Sequence, residues 1–310
     1  MFVSTGGTPV SRYGGDWTER KLEALRKYLE AYMTIFTKNQ WAKRYHTIYF
    51  DAFAGCGYRS KKKRKAPEKK ASSECLFLDG IELAEADEFR KGSPAVALSI
   101  PNPFGSYVFN DISPSAIRGL EELRSQFPLL ADRITLMSSE ANRSVIDFCA
   151  STDWKKNRAV LFLDPFGMQV EWATLEKVAI TEAIDLWLLF PLGQSVVRML
   201  TKDEAPPDDW ATCLTKLFGT DEWRTTFYSR ESDQGDLFDT SGPERRCCSL
   251  QDIERYFIGR LKSIFKGVVE KPMYLRNSKE VPLFLLCFAA GNERGSMTAI
   301  KMASDIMGKL

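Results

Sequence analysis

The stretch "LFLDPFG", residues 161 to 167, sets an acid, a proline and an aromatic ring side by side where an apolar run stops. A carboxylate at the mouth of a buried strand is costly unless something holds it there. Asp164 and the carbonyl of Pro165 can accept hydrogen bonds from one amino group, and the ring of Phe166 can stack on a base. An exocyclic amine on a base is a poor nucleophile because its lone pair is delocalised into the ring. Two acceptors that aim it and draw it toward tetrahedral geometry would make it a usable one. Asp164, Pro165 and Phe166 are therefore the candidate catalytic residues, with Phe166 also a substrate contact.

A second constellation precedes it. "YFDAFAGCG" runs from an apolar segment into Asp51-x-Phe53-x-Gly55-x-Gly57. Glycines at the end of a strand let backbone approach a ligand closely. Gly57 is followed by Tyr58, Arg59 and Ser60, so the third glycine of the dinucleotide fingerprint is missing, and no GK[ST] follows to make a P-loop. S-adenosylmethionine needs the close approach without a phosphate cradle, which makes Asp51, Phe53, Gly55 and Gly57 candidates for holding it. Two more acids then belong at the next strand ends. Asp111 in "VFNDIS" is placed to hold ribose hydroxyls, and Glu140 in "LMSSEAN" to sit near the adenine. Both positions also suit ordinary helix caps. Directly after the glycine turn, "YRSKKKRKAPEKKAS" carries eight basic residues and one acid. Lys61, Lys62, Lys63 and Arg64 could grip phosphates there, or form a solvated charge run.

Composition narrows the field. With His46 the sole histidine, histidine-rich metal sites are excluded and no metal site is expected. His46 lies just before an apolar strand, where a structural role is the simpler one. Seven cysteines without a CxxC pair suggest free thiols and a cytoplasmic setting. No apolar run is long enough for a membrane span. The charge balance, 43 basic against 41 acidic residues, gives little global steering toward nucleic acid.

The elements that must position these residues follow from periodicity. Asp16 to Phe36 has helical spacing of Leu22, Leu25, Tyr28, Leu29, Tyr32 and Ile35. Ser93-Pro94 reads as the cap and first position of a helix to about residue 100. Apolar strands then alternate with helices, one of them starting at Ser144, up to "AIDLWLLFP". This predicts an α/β, Rossmann-like domain over 1–310, with a seven-stranded, mostly parallel sheet and helices on both faces. "GVVEKPMYLRN" and "VPLFLLCFAAGN" read as two strands, the latter antiparallel beside the fifth. Residues 58–91 form a basic insertion and 202–248 a helical and loop insertion.

The succession "WTERKLEALRKYL", "YFDAFAGCG", "GSPAVAL", "VFNDI", "EAN" and "FLDPFG" resembles the three-Cys-motif partner proteins. These are bacterial proteins similar to class I S-adenosylmethionine-dependent methyltransferases. The resemblance covers residues 16 to 195 well and the last third loosely. The Asp-Pro-Phe-Gly element also looks like that of tRNA guanine-N2 dimethyltransferases. The resemblance implies S-adenosylmethionine as cofactor and a separate three-Cys-motif protein of radical type as partner, and supplies no substrate. Cys56 inside the glycine turn and Glu140 in place of an aspartate depart from the pattern. Three readings stay open: an N-methyltransferase acting on RNA or DNA, a non-catalytic or substrate-presenting partner, and a methyltransferase acting on a peptide or small molecule.

Overall fold

The computed structural model describes residues 16–59, 90–230 and 244–310. Five strands, β1 (His46–Asp51), β2 (Ser106–Asn110), β3 (Ile134–Met137), β4 (Asn157–Leu163) and β5 (Ile184–Phe190), run parallel. Three more, β6 (Gly267–Val268), β7 (Met273–Arg276) and β8 (Pro282–Ala290), complete an eight-stranded sheet. The order is β3-β2-β1-β4-β5-β8, with β6 and β7 both on the outer side of β8. β8 lies antiparallel beside β5, Leu285 opposite Phe190 and Ala290 opposite Asp185, as the sequence suggested. The outermost strand departs from expectation, being two short pieces instead of one. Pro272, lacking an N–H, sits in the break between them.

Among the described residues the α-helices of five residues or more are α1 (Asp16–Lys38), α2 (Ser93–Leu98), α3 (Pro114–Ser125), α4 (Ala141–Ser151), α5 (Trp172–Ile180), α6 (Asp208–Phe218), α7 (Trp223–Phe227), α8 (Leu250–Ile264) and α9 (Glu293–Met307). Both sheet faces are covered, so the central strands are apolar on both sides: five of the six residues of β1 are buried. Ile48 and Phe50 belong to the core under α4, α5, α6 and α8. Tyr49 and Phe109 belong to the core under α1, α2, α3 and α9. Leu25, Tyr28 and Leu29 of α1 are completely buried there, each contributing about 1.5–3 kcal/mol of apolar burial. Within 202–248, Leu214, Phe218 and Trp223 pack into the same core as Leu188 and Phe190.

Three local expectations shift. α2 is capped by Gly92, not Ser93. α4 begins three residues earlier than Ser144, because Glu140 caps it. Cys213 of α6 is disulfide-bonded, against the expectation of free thiols, and the cysteine spacing carries no signal for it. No helix among the described residues is long and apolar enough to cross a membrane.

Candidate active site

The chain passes from β1 outward through β2 and β3, then returns to lay β4 on the other side of β1. The crevice where the order reverses opens at the carboxyl ends of β1 and β4, the usual place for a ligand in such a sheet. Asp51 closes β1 and Asp164 follows β4, while Asp111 and Glu140 follow β2 and β3. All four acids thus stand along one edge. Strand parity then sorts them, because alternate residues face alternate sides. Tyr49 on β1 and Val160 and Phe162 on β4 face the α1 layer. Asp51 and Asp164, each two residues on, emerge on that same side.

What meets them there is Lys21 of α1, 1% exposed, donating through Nζ to Oδ2 of Asp164. Asp164 is 22% exposed, so one face of its carboxyl is open. The ammonium also lies 5.3 Å from the Trp17 ring centre and 6.0 Å from that of Phe162, a cation–π setting. Asp51 is wholly buried. Its oxygens accept from the Tyr49 hydroxyl at 3.3 Å and the Phe53 N–H at 3.3 Å, and the Ser93 hydroxyl donates to it as well. Burial pushes the Asp51 carboxyl up to about 7. The Ser93 hydrogen bond opposes that shift, and the nearby Asp164 carboxylate adds to it. The displaced cap of α2 now makes sense: Ser93 turns its hydroxyl to Asp51 instead of to its own helix.

The glycine turn divides its labour. Gly55 has φ +60° and open space where a Cβ would stand. Gly57 has φ +72°, and its Cβ would come within 2.6 Å of Leu123. Gly57 is therefore needed for the close packing of α3, whereas the space over Gly55 is open. Asp111 ties the turn down, its Oδ2 accepting from the Gly55 N–H at 3.0 Å and its Oδ1 from the Ser113 N–H at 2.8 Å. Each oxygen keeps a lone pair for a further donor. Asn110, wholly buried, donates to the carbonyls of Ala52 and Ser139 at 3.1 Å and accepts from the Ser139 N–H and hydroxyl. It clamps three strand ends together. Phe53 is half-buried against the α4 and α5 core. Beside Asp111, Ile112 is 70% exposed.

Glu140 sits apart from this group in its bonding. Both its oxygens accept from the first turn of α4, from the N–H groups of Asn142 at 2.9 Å and Arg143 at 2.8 Å. The arrangement is a helix N-cap, the simpler of the two roles its position allowed.

In the acceptor element Pro165 is buried, and Phe166 is turned outward at 63% exposure. Gly167 takes φ +73°, which turns the chain back on itself. The Phe166 N–H donates to Gln169 Oε1 at 3.1 Å. Asn142 fixes the loop from α4, donating to the Gln169 carbonyl at 2.8 Å and accepting from the Glu171 N–H and the Thr174 hydroxyl. Lys61, Lys62, Lys63 and Arg64 lie outside the described residues. Four supporting residues, Lys21, Ser93, Asn110 and Asn142, stand outside the candidate site residues of the sequence. Lys21 did leave a signal, standing four residues before Leu25 on the apolar stripe of α1.

No family model matches the chain, and no curated protein matches it. Its fold is similar to that of a Legionella pneumophila protein of the family model DUF519, at 10% identity over 96% of this chain and 93% of that one, with a TM-score of 0.46. It is also similar to the magnesium protoporphyrin IX methyltransferase ChlM of Synechocystis PCC 6803. With SAM bound that structure aligns at 9% identity over 77% of this chain and 84% of that one, TM-score 0.33. With SAH bound the shares are 92% and 90%, at 9% identity and TM-score 0.34.

Proposed function

We propose that the chain is an S-adenosylmethionine-dependent N-methyltransferase acting on an exocyclic amine of a nucleic-acid base. The observation that carries this is the juxtaposition at one sheet edge of an open-faced Gly55 tied to Asp111, and of Asp164 beside an outward Phe166. The residues suit the cofactor. Gly55 leaves the space that close backbone approach requires, Asp111 keeps acceptor capacity for two hydroxyls, and exposed Ile112 gives an apolar surface for an adenine. When bound there, the cofactor supplies a methyl group on a sulfonium, ready for an amine nitrogen.

The chain's own residues do the rest. Asp164 Oδ1 and the Pro165 carbonyl accept the two hydrogens of the amine, which fixes the direction of its lone pair. Among the described residues no backbone hydrogen bond ends on that carbonyl. Phe166 stacks on the base, which must leave its helix to reach the crevice. Lys21, donating to Oδ2, fixes the rotation of the Asp164 carboxyl, so that Oδ1 is the oxygen offered to substrate.

Calorimetry tests the first half. S-adenosylmethionine should bind, and Asp111→Ala should weaken it roughly ten- to a hundredfold. Incubation with labelled cofactor and total RNA, DNA or protein extract tests the second, with label expected in nucleic acid. Label in protein or small molecules alone would move the chain to a different acceptor class. The Lys21 ion pair favours one alternative, in which Asp164 stays engaged and the chain binds the cofactor without transferring its methyl group. In that reading it acts as the partner of a separate three-Cys-motif protein.

A further inference from the structure

The opposite edge of the sheet, where β1 and β4 begin, carries a feature that the reaction above leaves unused. The turn from α1 into β1 holds Trp41 at 77% exposure. Hydrogen bonds from the Trp41 and Ala42 N–H groups to Asn39 Oδ1 shape that turn. The Arg44 guanidinium lies 5.9 Å from the Trp41 ring centre and 4.9 Å from that of Tyr45, and it donates to the Tyr45 hydroxyl at 2.9 Å. Arg158, at the start of β4, stands 3.9 Å over the same Tyr45 ring. This contact joins the α1–β1 turn to the α4–β4 turn, as does the bond from the His46 N–H to the Lys156 carbonyl at 2.9 Å.

Together the segments 38–46 and 153–158 carry six basic side chains (Lys38, Lys43, Arg44, Lys155, Lys156 and Arg158) against the single acid Asp153, on a chain whose net charge is only +2. Lys156 leans on Asp153 at 3.7 Å. Lys38, Lys43 and Lys155 are exposed and make no ion pair among the described residues.

We propose that this patch binds a single strand of nucleic acid, with the indole of Trp41 stacking on a base and Lys38, Lys43, Arg44 and Lys155 meeting phosphates. Two features choose the occupant. Clustered cations beside an aromatic platform match a polyanion whose units each carry both a phosphate and a flat ring. A duplex keeps its base faces stacked and closed, and an acidic peptide would use the cations but leave the indole uncovered. β1 spans about 20 Å from this patch to Asp51, so a strand held here has its continuation within reach of the carboxyl edge. The proposal deepens the nucleic-acid reading of that edge. Binding is measured without cofactor, so the two can fail separately.

The test is fluorescence anisotropy of the full chain with a labelled uridine-rich RNA of about 20 nucleotides, repeated with a matched DNA strand, an RNA duplex and polyglutamate. Either single strand should bind, and more tightly than duplex or polyglutamate. Trp41→Ala should weaken binding roughly five- to a hundredfold. Replacing Lys38, Lys43 and Lys155 together by Gln should lower the slope of log affinity against log salt by about two. These side chains are exposed, so thermal melting should not move. The proposal is overturned if Trp41→Ala binds as wild type does, if the salt slope is unaltered, or if polyglutamate competes as well as RNA. Patch-dependent RNA binding in a chain that transfers no methyl group would uphold the patch and sink the methyltransferase reading alone.

Discussion

At the carboxyl edge of the sheet the charges are inside, and at the amino edge they are outside. Lys21 and Asp51 are 1% and 0% exposed, whereas Trp41 is 77% exposed among exposed lysines. A buried charge must be matched by a partner held in one geometry, because the desolvation it suffers is several kcal/mol. Such a cluster suits aiming a single group at a single atom. Exposed charges are each worth little and are screened by salt, so they matter only when a long partner engages many together. One edge therefore suits chemistry, the other holding.

The largest effect should come from breaking the internal pair. Asp164→Asn takes away the carboxylate that the buried Lys21 ammonium donates to and should destabilise the fold by about 3 kcal/mol, at the low end because Asp51 is near. Lys21→Met leaves a carboxylate that can reach water, so it should cost less. The double variant should recover most of the loss in urea unfolding. Additive losses would mean that the two groups do not communicate.

The two glycines of the turn should separate fold from ligand. Gly57→Ala meets both left-handed backbone strain and Leu123, and should cost roughly 2–3 kcal/mol of stability. Gly55→Ala meets strain alone, at about 1 kcal/mol, yet should lower cofactor affinity at least tenfold by filling the space that the ligand needs. Equal effects of both on calorimetry would undo the division.

A pH effect should follow from the buried acids. Asp51 is raised to about 7 and Asp185 to about 6, both by burial. Between the ordinary carboxylate range near 4 and these values, the folded chain holds protons that the unfolded chain has released. Stability should therefore be highest near pH 4–5, fall as pH rises toward 7, and level off above it. Asp51→Asn should flatten that fall by on the order of 2 kcal/mol. A profile that rises with pH in the variant and wild type alike would show Asp51 ionised in the fold. The smallest effect belongs to the amino edge, where Trp41→Ala should change stability by no more than about 0.5 kcal/mol.

The strand ends could be read from the sequence because alternation is strict: apolar runs stop at Asp51, Asp111 and Asp164, and a parallel sheet must bring such ends to one edge. That Asp51 and Asp164 share a side needed the register as well, which sets Asp51 opposite Phe162. The partner on that side could not be read, since Lys21 comes from a helix 143 residues away from Asp164. Only its place on an apolar stripe hinted at burial. Glu140 was ambiguous for a different reason, as an acid after a strand serves a ligand or a helix with the same side chain. Asn110 and Asn142 act through backbone groups of distant loops, which no spacing rule encodes.

Asp164 Oδ1, as the acceptor that aims an amine, is the atom on which methyl transfer should depend most. The direct measurement is transfer of labelled methyl from S-adenosylmethionine to total RNA by wild type and by Asp164→Asn, both confirmed folded and saturated with cofactor. Wild type should label RNA, and the variant should do so at least roughly a hundredfold more slowly with cofactor affinity nearly unchanged. Equal labelling by the two proteins would contradict the assignment of Asp164.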